Sequence, residues 1–289
     1  PGYIYAVKDR NVYVNLFLSN SSKVSIDGKS VSLSQDTNYP WNGDVKIKVD
    51  NNKAGKFGMK IRIPGWVKGQ PVPSSLYSYT DASRPSYKIT VNGRSVPASL
   101  TEDGYYTIER NWKKGDVVNV HFDMDVRTVR ADNKVEADRG MVSIERGPLV
   151  YCAEWRDNAF DIMSVLLNRE PKFSEGELPY SSFIADSLKT KLQLYRDQNI
   201  TTLATDAQTL AYDNSGKLTT QNVKLELIPY FAWCHRGSGN MKVWLPQDVK
   251  ATRPSAPATL ASQAKIVSST PSSSMRSIAD GLVPADEND

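Results

Sequence analysis

Alternation of apolar and polar residues is the dominant pattern along this chain. It is clearest at 117–126, where Val118, Val120 and Phe122 alternate with polar residues. Successive side chains of a β-strand point to opposite faces, so this period of two predicts a half-buried antiparallel strand. Shorter runs of the same kind occur at 12–18, 45–49, 57–63, 87–91, 105–109, 141–145, 149–155, 223–228 and 241–245.

Turn residues separate these runs. Pairs that tolerate positive φ, typical of tight turns between antiparallel strands, occur at Asp27-Gly28, Asn42-Gly43, Asn92-Gly93 and Asp103-Gly104. Long helical periodicity is missing, and the best helical candidate, 181–194, is short and mixed. We therefore predict an all-β fold of two consecutive antiparallel β-sandwich domains.

Composition places the domain boundaries of this prediction. The charged, weakly apolar stretch 128–139 predicts a joint, with a first β-sandwich at 1–130 and a second at 131–250. Within the second, 156–222 is less regular and predicts a long insertion. From 251 to 289 the sequence becomes rich in Pro, Ser, Thr and Ala, which predicts a C-terminal linker leading to a further domain.

The beginning of the chain carries no targeting signal. Pro1 is preceded by no Met and followed by no charged or apolar leader, so we expect a piece of a longer protein. Whether Pro1 marks a cloning boundary, a cleavage site or a first ordered residue stays open. The compartment also stays open, with secreted and periplasmic locations among the alternatives.

Charge is close to balance. The net charge of +4 arises from 36 basic and 32 acidic residues, and basic residues such as Lys46 and Lys48 alternate with apolar ones. This arrangement is typical of solvated strand faces and not of nucleic-acid binding. No apolar stretch reaches the roughly 18 residues of a membrane helix. We therefore expect neither a nucleic-acid partner nor a membrane span.

Cysteine and histidine are scarce. Cys152 and Cys234 have no C-x-x-C spacing, so we expect two small buried hydrophobes, with a disulfide between them as the less favoured alternative. His121 and His235 have no second ligand at metal-binding spacing, which favours structural or surface roles over metal binding or catalysis.

Carboxylates offer only weak candidate chemistry. Glycoside hydrolysis commonly needs two of them across the scissile bond, and Glu145 and Glu154 are the best candidates because they lie in or beside apolar strands. Ion pairing is the favoured interpretation of both. The chain contains no nucleophile-elbow, P-loop or dinucleotide-binding motif.

Tryptophan next to Pro and Gly is the one feature that indicates a ligand. Trp41 and Trp66 lie in the segments 39–43 and 64–66, and flat aromatic faces exposed at loops can stack on sugar rings. The two residues are candidates for contact with a carbohydrate or with another domain. Packing at the end of a sandwich core is the favoured alternative.

A series of short segments is recognisable as a set. It comprises PGYIY at 1–5, YVNLF at 13–17, TNYPWNG at 37–43, IRIPGW at 61–66, GYY at 104–106, WKKGD at 112–116, ERGPLVY at 145–151 and PYFAW at 229–233. In order and spacing this series resembles glycoside hydrolase family 127, the β-L-arabinofuranosidase-like enzymes, over roughly 1–246.

The resemblance implies an enzyme with an N-terminal (α/α)6 barrel followed by two β-sandwiches. In that family the barrel holds the acid/base Glu and a zinc site of one Glu and three Cys, one of which is the proposed nucleophile. No position of this chain matches those residues. The resemblance thus predicts no catalytic, cofactor or metal residue here, and zinc in a barrel that would precede Pro1.

These observations predict a non-catalytic accessory region. It would pack on the catalytic barrel of the same polypeptide, while the full-length protein hydrolyses terminal arabinofuranosides, and it would be inactive alone. One alternative is a free-standing carbohydrate-binding module for plant-type, arabinose-containing glycans. A purely structural surface protein is disfavoured because the two halves show no internal repeat. Sugar specificity and oligomeric state stay open.

Overall fold

The computed structural model describes residues 2–96, 100–184 and 199–257. These ranges form twenty β-strands, and the only helices in them are 3₁₀ turns of three or four residues. The all-β prediction is therefore confirmed. The chain divides into two compact units: unit 1 is Pro1–Asp132 with Glu145–Leu149, and unit 2 is Asn133–Ile144 with Val150–Asp289.

The first sheet of unit 1 has four strands. In spatial order they are β1 (Tyr5–Lys8), β2 (Asn11–Val14), β6 (Lys56–Arg62) and β10 (Tyr105–Asn111). The β1–β2 and β6–β10 pairs are antiparallel, whereas β2 and β6 run parallel. This parallel pair departs from the purely antiparallel prediction.

The second sheet of unit 1 has six antiparallel strands. Their spatial order is β3 (Asn20–Ile26), β4 (Lys29–Thr37), β5 (Asp44–Asn52), β11 (Val117–Phe122), β8 (Tyr87–Val91) and β9 (Arg94–Ser95). Asp27 and Gly28 join β3 to β4 with φ of 49° and 75°. Positive φ at both positions is the requirement of the tight hairpin turn that the Asp-Gly pair predicts.

One core joins the two sheets of unit 1. Val12, Val14 and Ile61 of the first sheet share a cluster of buried side chains with Ile47 and Val118 of the second. Each such apolar side chain contributes about 1.5–3 kcal/mol by leaving water. Unit 1 is therefore a β-sandwich, as predicted.

The predicted strand at 117–126 is two strands. β11 ends at Phe122, and β12 (Val126–Ala131) pairs with β7 (Tyr77–Tyr79) instead of continuing the second sheet. The backbone between β11 and β12 forms a hydrogen bond outside both strand pairs, because the amide of Asp123 donates to the carbonyl of Ser86 at 3.0 Å. β12 also occupies the beginning of 128–139, the stretch predicted as the joint, and a boundary between the two units follows it at Asp132.

Unit 2 is built around one long antiparallel pair, β17 and β18. Its strands are β13 (Met141–Arg146), β14 (Leu149–Glu154), β15 (Val165–Leu167), β16 (Phe173–Pro179), β17 (Asn199–Tyr212), β18 (Leu218–Pro229), β19 (Met241–Lys242) and β20 (Leu245–Pro246). The end of β13 and the first residue of β14 fall within Glu145–Leu149 and therefore belong to unit 1. β15 and β16 pair with successive parts of β17, β14 pairs with β18 and β19, and β20 pairs with β13.

The predicted irregular insertion at 156–222 instead contains β15, β16, β17 and the start of β18. The alternation of apolar and polar residues does not reveal β16 or β17, because neither strand has one buried and one exposed face. Most of β17 from Ile200 to Ala207 is buried on consecutive positions, so apolar and polar residues do not alternate. β16 has the opposite pattern, with nearly every residue exposed.

The first residues of the predicted linker are ordered on unit 2. The amide of Ser255 donates to the carbonyl of Leu210 at 2.9 Å, and the amide of Tyr212 donates to the carbonyl of Ser255 at 2.9 Å. Residues 258–289 lie outside the described residues, as does most of the helical candidate. Its beginning belongs to a 3₁₀ turn at Tyr180–Phe183.

Candidate functional site

A polar groove of about 430 Å³ lies in unit 1 where β4, β5 and β11 meet the loop at 38–43. Its polar lining is Asp36, Asn38, Asn42, Asp44, Lys46 and Asn119. The volume falls within the range of ligand pockets in proteins, roughly 300–1,000 Å³. The groove is therefore a candidate ligand-binding site.

Strand register brings three of these side chains together. Lys46 lies opposite Asp36 on one side and opposite Asn119 on the other. Residues directly opposite each other in neighbouring strands share a face of the sheet. All three are exposed, so they form a row of carboxylate, ammonium and amide across three strands.

Hydrogen bonds hold the loop beside this row. The hydroxyl of Thr37 donates to the carbonyl of Asp44 at 2.5 Å and accepts from the amide of Tyr39 at 2.9 Å. The side-chain oxygen of Asn42 accepts from the amide of Asp44 at 3.1 Å. The peptide between Tyr39 and Pro40 is cis. The groove wall thus has a defined conformation.

Gly43 lets this loop approach β11 closely. The amide of Phe122 donates to the carbonyl of Gly43 at 3.0 Å. A Cβ atom at Gly43 would lie 1.7 Å from the carbonyl oxygen of Phe122. The glycine of the Asn42-Gly43 pair is therefore needed for close approach and not, as the sequence pattern predicts, for a positive φ.

The two candidate tryptophans have different environments. Trp66 is only 6% exposed, its indole N–H donates to the hydroxyl of Tyr39 at 3.2 Å, and its ring meets that of Phe122 edge-on. This burial argues against a sugar platform at Trp66. Trp41 is partly exposed and lies between the groove residues Asn38 and Asn42, so its contact role stays a prediction.

His121 lies on the polar side of β11, as its position in the alternation predicts. Its Nδ1 is 2.7 Å from an Asp44 carboxylate oxygen, and its Nε2 is 3.2 Å from an Asp123 carboxylate oxygen. The hydrogen bond to Asp44, followed by the field of the two carboxylates, raises the pKa of His121 above its ordinary value. The histidine thus anchors one groove carboxylate, Asp44.

Glu145 belongs to a buried polar cluster of unit 1. The hydroxyl of Tyr79 donates to the carboxylate of Glu145 at 2.8 Å, and burial raises the pKa of Glu145. The guanidinium of Arg127 lies 3.4 Å from the centre of the Tyr79 ring and forms an ion pair with Asp81 at 3.2 Å. In this cluster Glu145 accepts a hydrogen bond from a tyrosine, and the ion pair is formed by Arg127 and Asp81.

Glu154 belongs to a separate cluster in unit 2. It is 1% exposed and forms an ion pair with Arg236. Arg236 also donates to Asp157 at 2.7 Å, and the second oxygen of Glu154 accepts from the amide of Cys234 at 3.1 Å. Both of the best carboxylate candidates are thus engaged, and they belong to different units.

The two cysteines are unpaired and unlike each other. Cys152 is fully buried, and burial raises its pKa to about 12, so the thiol stays protonated and poorly nucleophilic. Cys234 is exposed in a turn with φ of 66°. The prediction that both are buried is wrong for Cys234, because β18 ends at Pro229 and the chain turns before reaching it.

The chain does not fit the zinc site that the resemblance implies. Such a site needs three Cys, and the sequence contains two. In 2–96, 100–184 and 199–257 no three His, Cys, Asp or Glu residues cluster as metal ligands would. No step of a reaction is therefore assigned to zinc on this chain.

Sequence reasoning missed Arg127 and Arg236, the buried cations of the two clusters. A signal was present for Arg127, because it shares the inward parity of β12 with Val129. A charged residue on the apolar side of an alternating strand needs partners inside the fold. No comparable signal marks Arg236, which follows the turn at Cys234.

Fold and site together define an all-β protein of two units with a polar groove on the first. In the part of the chain that the structure describes, no helix has the length and apolarity to cross a membrane. A family model for the middle domain of GH127 β-L-arabinofuranosidases matches residues 11–124, and one for the C-terminal domain of glycoside hydrolase family 127 matches residues 126–246. The chain belongs to glycoside hydrolase family 127.

Individual relatives agree with this assignment. A non-reducing end β-L-arabinofuranosidase of Bifidobacterium longum subsp. longum is 30% identical over 255 residues, which are 84% of this chain and 34% of that protein. A solved GH127 β-arabinofuranosidase is 51% identical with a TM-score of 0.78, over 89% of this chain and 38% of its own. The chain thus spans about a third of the length of these relatives.

A third relative has the same coverage. The crystal structure of a GH127 β-L-arabinofuranosidase from Geobacillus stearothermophilus T6 is 31% identical with a TM-score of 0.67. The match covers 84% of this chain and 35% of that structure. The similarity therefore extends over both units in proteins about three times as long.

Proposed function

We propose that this chain is the accessory β-sandwich region of a β-L-arabinofuranosidase. In this proposal it packs on a catalytic (α/α)6 barrel of the same polypeptide and supports it, while the whole protein hydrolyses terminal arabinofuranosides. The observation that carries the proposal is the match to the middle and C-terminal family models together with coverage of only 34% of a relative named for this activity.

The side-chain chemistry of the chain supports an accessory role. Glu145 and Glu154, its best carboxylate candidates, lie in buried clusters with Tyr79 and with Arg236. Glycosidases commonly use two carboxylates that face one sugar. Cys152 is a buried neutral thiol. The proposal therefore assigns zinc, nucleophile and acid/base to the barrel.

A hydrolysis assay tests this proposal. The 289-residue chain is incubated with an aryl β-L-arabinofuranoside, with and without added zinc, beside the Bifidobacterium longum relative as a positive control. We expect turnover by the relative and none by the chain. Zinc-dependent hydrolysis by the chain alone would overturn the proposal.

The alternative of a free-standing carbohydrate-binding module that stacks sugars on two tryptophans is weakened. It relied on Trp41 and Trp66 as a two-ring platform, and the Trp66 ring packs against Phe122 with little exposure. Trp41 alone offers less stacking area. A binding role for unit 1 therefore has to come from other side chains.

A further inference from the structure

In the part of the chain that the structure describes, four polar side chains at the groove have no hydrogen-bond partner. Asp36, Asn38, Lys46 and Asn119 line the groove. Within the ranges that the structure describes, the hydrogen bonds near them use the carbonyl of Asn38 and not any of these four side chains. Their donors and acceptors are thus free for a ligand.

The mixture of groups selects the ligand chemistry. A carboxylate only accepts hydrogen bonds, an ammonium only donates them, and each amide does both. An anion would face Asp36 and Asp44, and a metal cation would face Lys46. Neutral groups that donate and accept at once satisfy the whole set, and hydroxyl groups have this property.

We propose that the groove of unit 1 binds a neutral, hydroxyl-rich ligand, a short oligosaccharide, through Asp36, Asn38, Lys46 and Asn119. The choice of a saccharide among hydroxyl-rich molecules rests on the proposed function. The geometry of the groove, its volume and its free polar groups stand independently of that function.

The groove is built before any ligand arrives. Thr37 ties the loop to Asp44 at 2.5 Å, and Gly43 seats it on β11. His121 fixes the Asp44 carboxylate at 2.7 Å. A site that is already ordered loses less conformational entropy on binding, which favours affinity for a small polar ligand.

The side chain of Trp41 does not line the groove, but its backbone belongs to the loop that forms the groove wall. This residue lies between Asn38 and Asn42, and its carbonyl accepts from Arg146 at 3.0 Å. Sugar rings present both hydroxyl groups and apolar faces. The polar lining of the groove matches the hydroxyl groups, and the apolar part of its lining is Val45 and Val120.

A titration of the whole 289-residue chain tests this inference. Linear arabinotriose is added up to about 10 mM, a range that covers millimolar affinity, while the side-chain amide signals of Asn38, Asn42 and Asn119 are followed by NMR. We expect these signals to shift saturably. The side-chain amide of Asn52 is the internal control, because it already donates to the carbonyls of Gly55 and Trp112 at 2.8 Å.

Paired variants then assign the binding to the groove. Asn119→Ala and Asp36→Ala each remove one set of hydrogen bonds, so we expect about tenfold weaker binding. Thr90→Ala is the matched control, since Thr90 lies opposite Asn119 on the neighbouring strand but does not line the groove. All three positions are surface positions of strands, and we expect unchanged unfolding midpoints.

Three outcomes separate the possibilities. Saturable shifts that Asn119→Ala weakens and Thr90→Ala leaves intact support the groove. If Asn119→Ala and Asp36→Ala bind arabinotriose as tightly as the parent chain, the proposal is overturned. Absence of binding by arabinotriose, xylotriose and maltotriose also overturns the proposal, whereas the accessory role is decided by separate assays of hydrolysis.

Discussion

At the scale of single residues, a buried arginine organises each unit. Arg127 lies over the Tyr79 ring and pairs with Asp81, and Arg236 pairs with Glu154 and Asp157. The planar guanidinium presents several donors in fixed directions and stacks on aromatic rings, which the compact ammonium of lysine does not. These two residues therefore have structural roles that a lysine would not fill.

Loss of Arg236 should strongly destabilise unit 2. Arg236→Met leaves the carboxylate of Glu154 buried without its counter-charge, and we expect a loss of about 3–5 kcal/mol in the free energy of unfolding. Urea denaturation followed by circular dichroism measures it. The double variant Arg236→Met with Glu154→Leu removes both charges and should lose clearly less than the single variant. A double variant as unstable as the single one would contradict this account.

His121 should titrate above its ordinary pKa of 6.5 because Asp44 and Asp123 favour its charged form. The pKa of His121 is raised in the folded state, so protonated His121 stabilises the folded state fully below a pH of about 6.5. This stabilisation is lost as the pH rises through the folded-state pKa. The side chain is 50% exposed, which limits the effect to below about 1 kcal/mol.

An NMR titration of the His121 ring measures this midpoint. We expect a value above 6.5 in the parent chain and a lower one in Asp44→Asn, which removes the strongest contact. Equal midpoints in the two proteins would show that Asp44 does not hold the histidine.

At the scale of elements, β8 was predictable from its alternation, whereas β16 and β17 were not. β8 coincides with the predicted 87–91, because apolar and polar residues alternate along it. β17 was missed because Ile200, Thr201, Thr202 and Leu203 are buried on consecutive positions, so that both faces of the strand are covered there. The groove was not predictable either. Asp36, Lys46 and Asn119 come from three strands, and sequence alone does not give the register that aligns them.

Gly43 should be intolerant of any side chain. Gly43→Ala places a methyl group against the backbone of Phe122, and relieving this overlap requires the 38–43 loop to move. We expect a loss of about 1–3 kcal/mol, typical of overpacking, measured by urea denaturation. Gly2→Ala is the matched control because nothing lies within 4 Å of its Cβ position. Equal stability of the two variants would contradict the close approach.

At the scale of the whole molecule, both units belong to one family and cover about a third of its longer members. The middle-domain model ends at residue 124 and the C-terminal model begins at residue 126. We expect the family's catalytic and zinc residues to lie outside both units. We therefore infer that the two units act together as support for catalytic chemistry that other parts of the polypeptide supply.

The most direct test of this support role uses the solved GH127 relative that is 51% identical to this chain. Two versions of that enzyme are compared, one with its matching region deleted and one with that region replaced by this chain. We predict that the deletion abolishes soluble, active enzyme and that the replacement restores hydrolysis of an aryl β-L-arabinofuranoside. Full activity and unchanged thermal stability of the deletion would contradict the account.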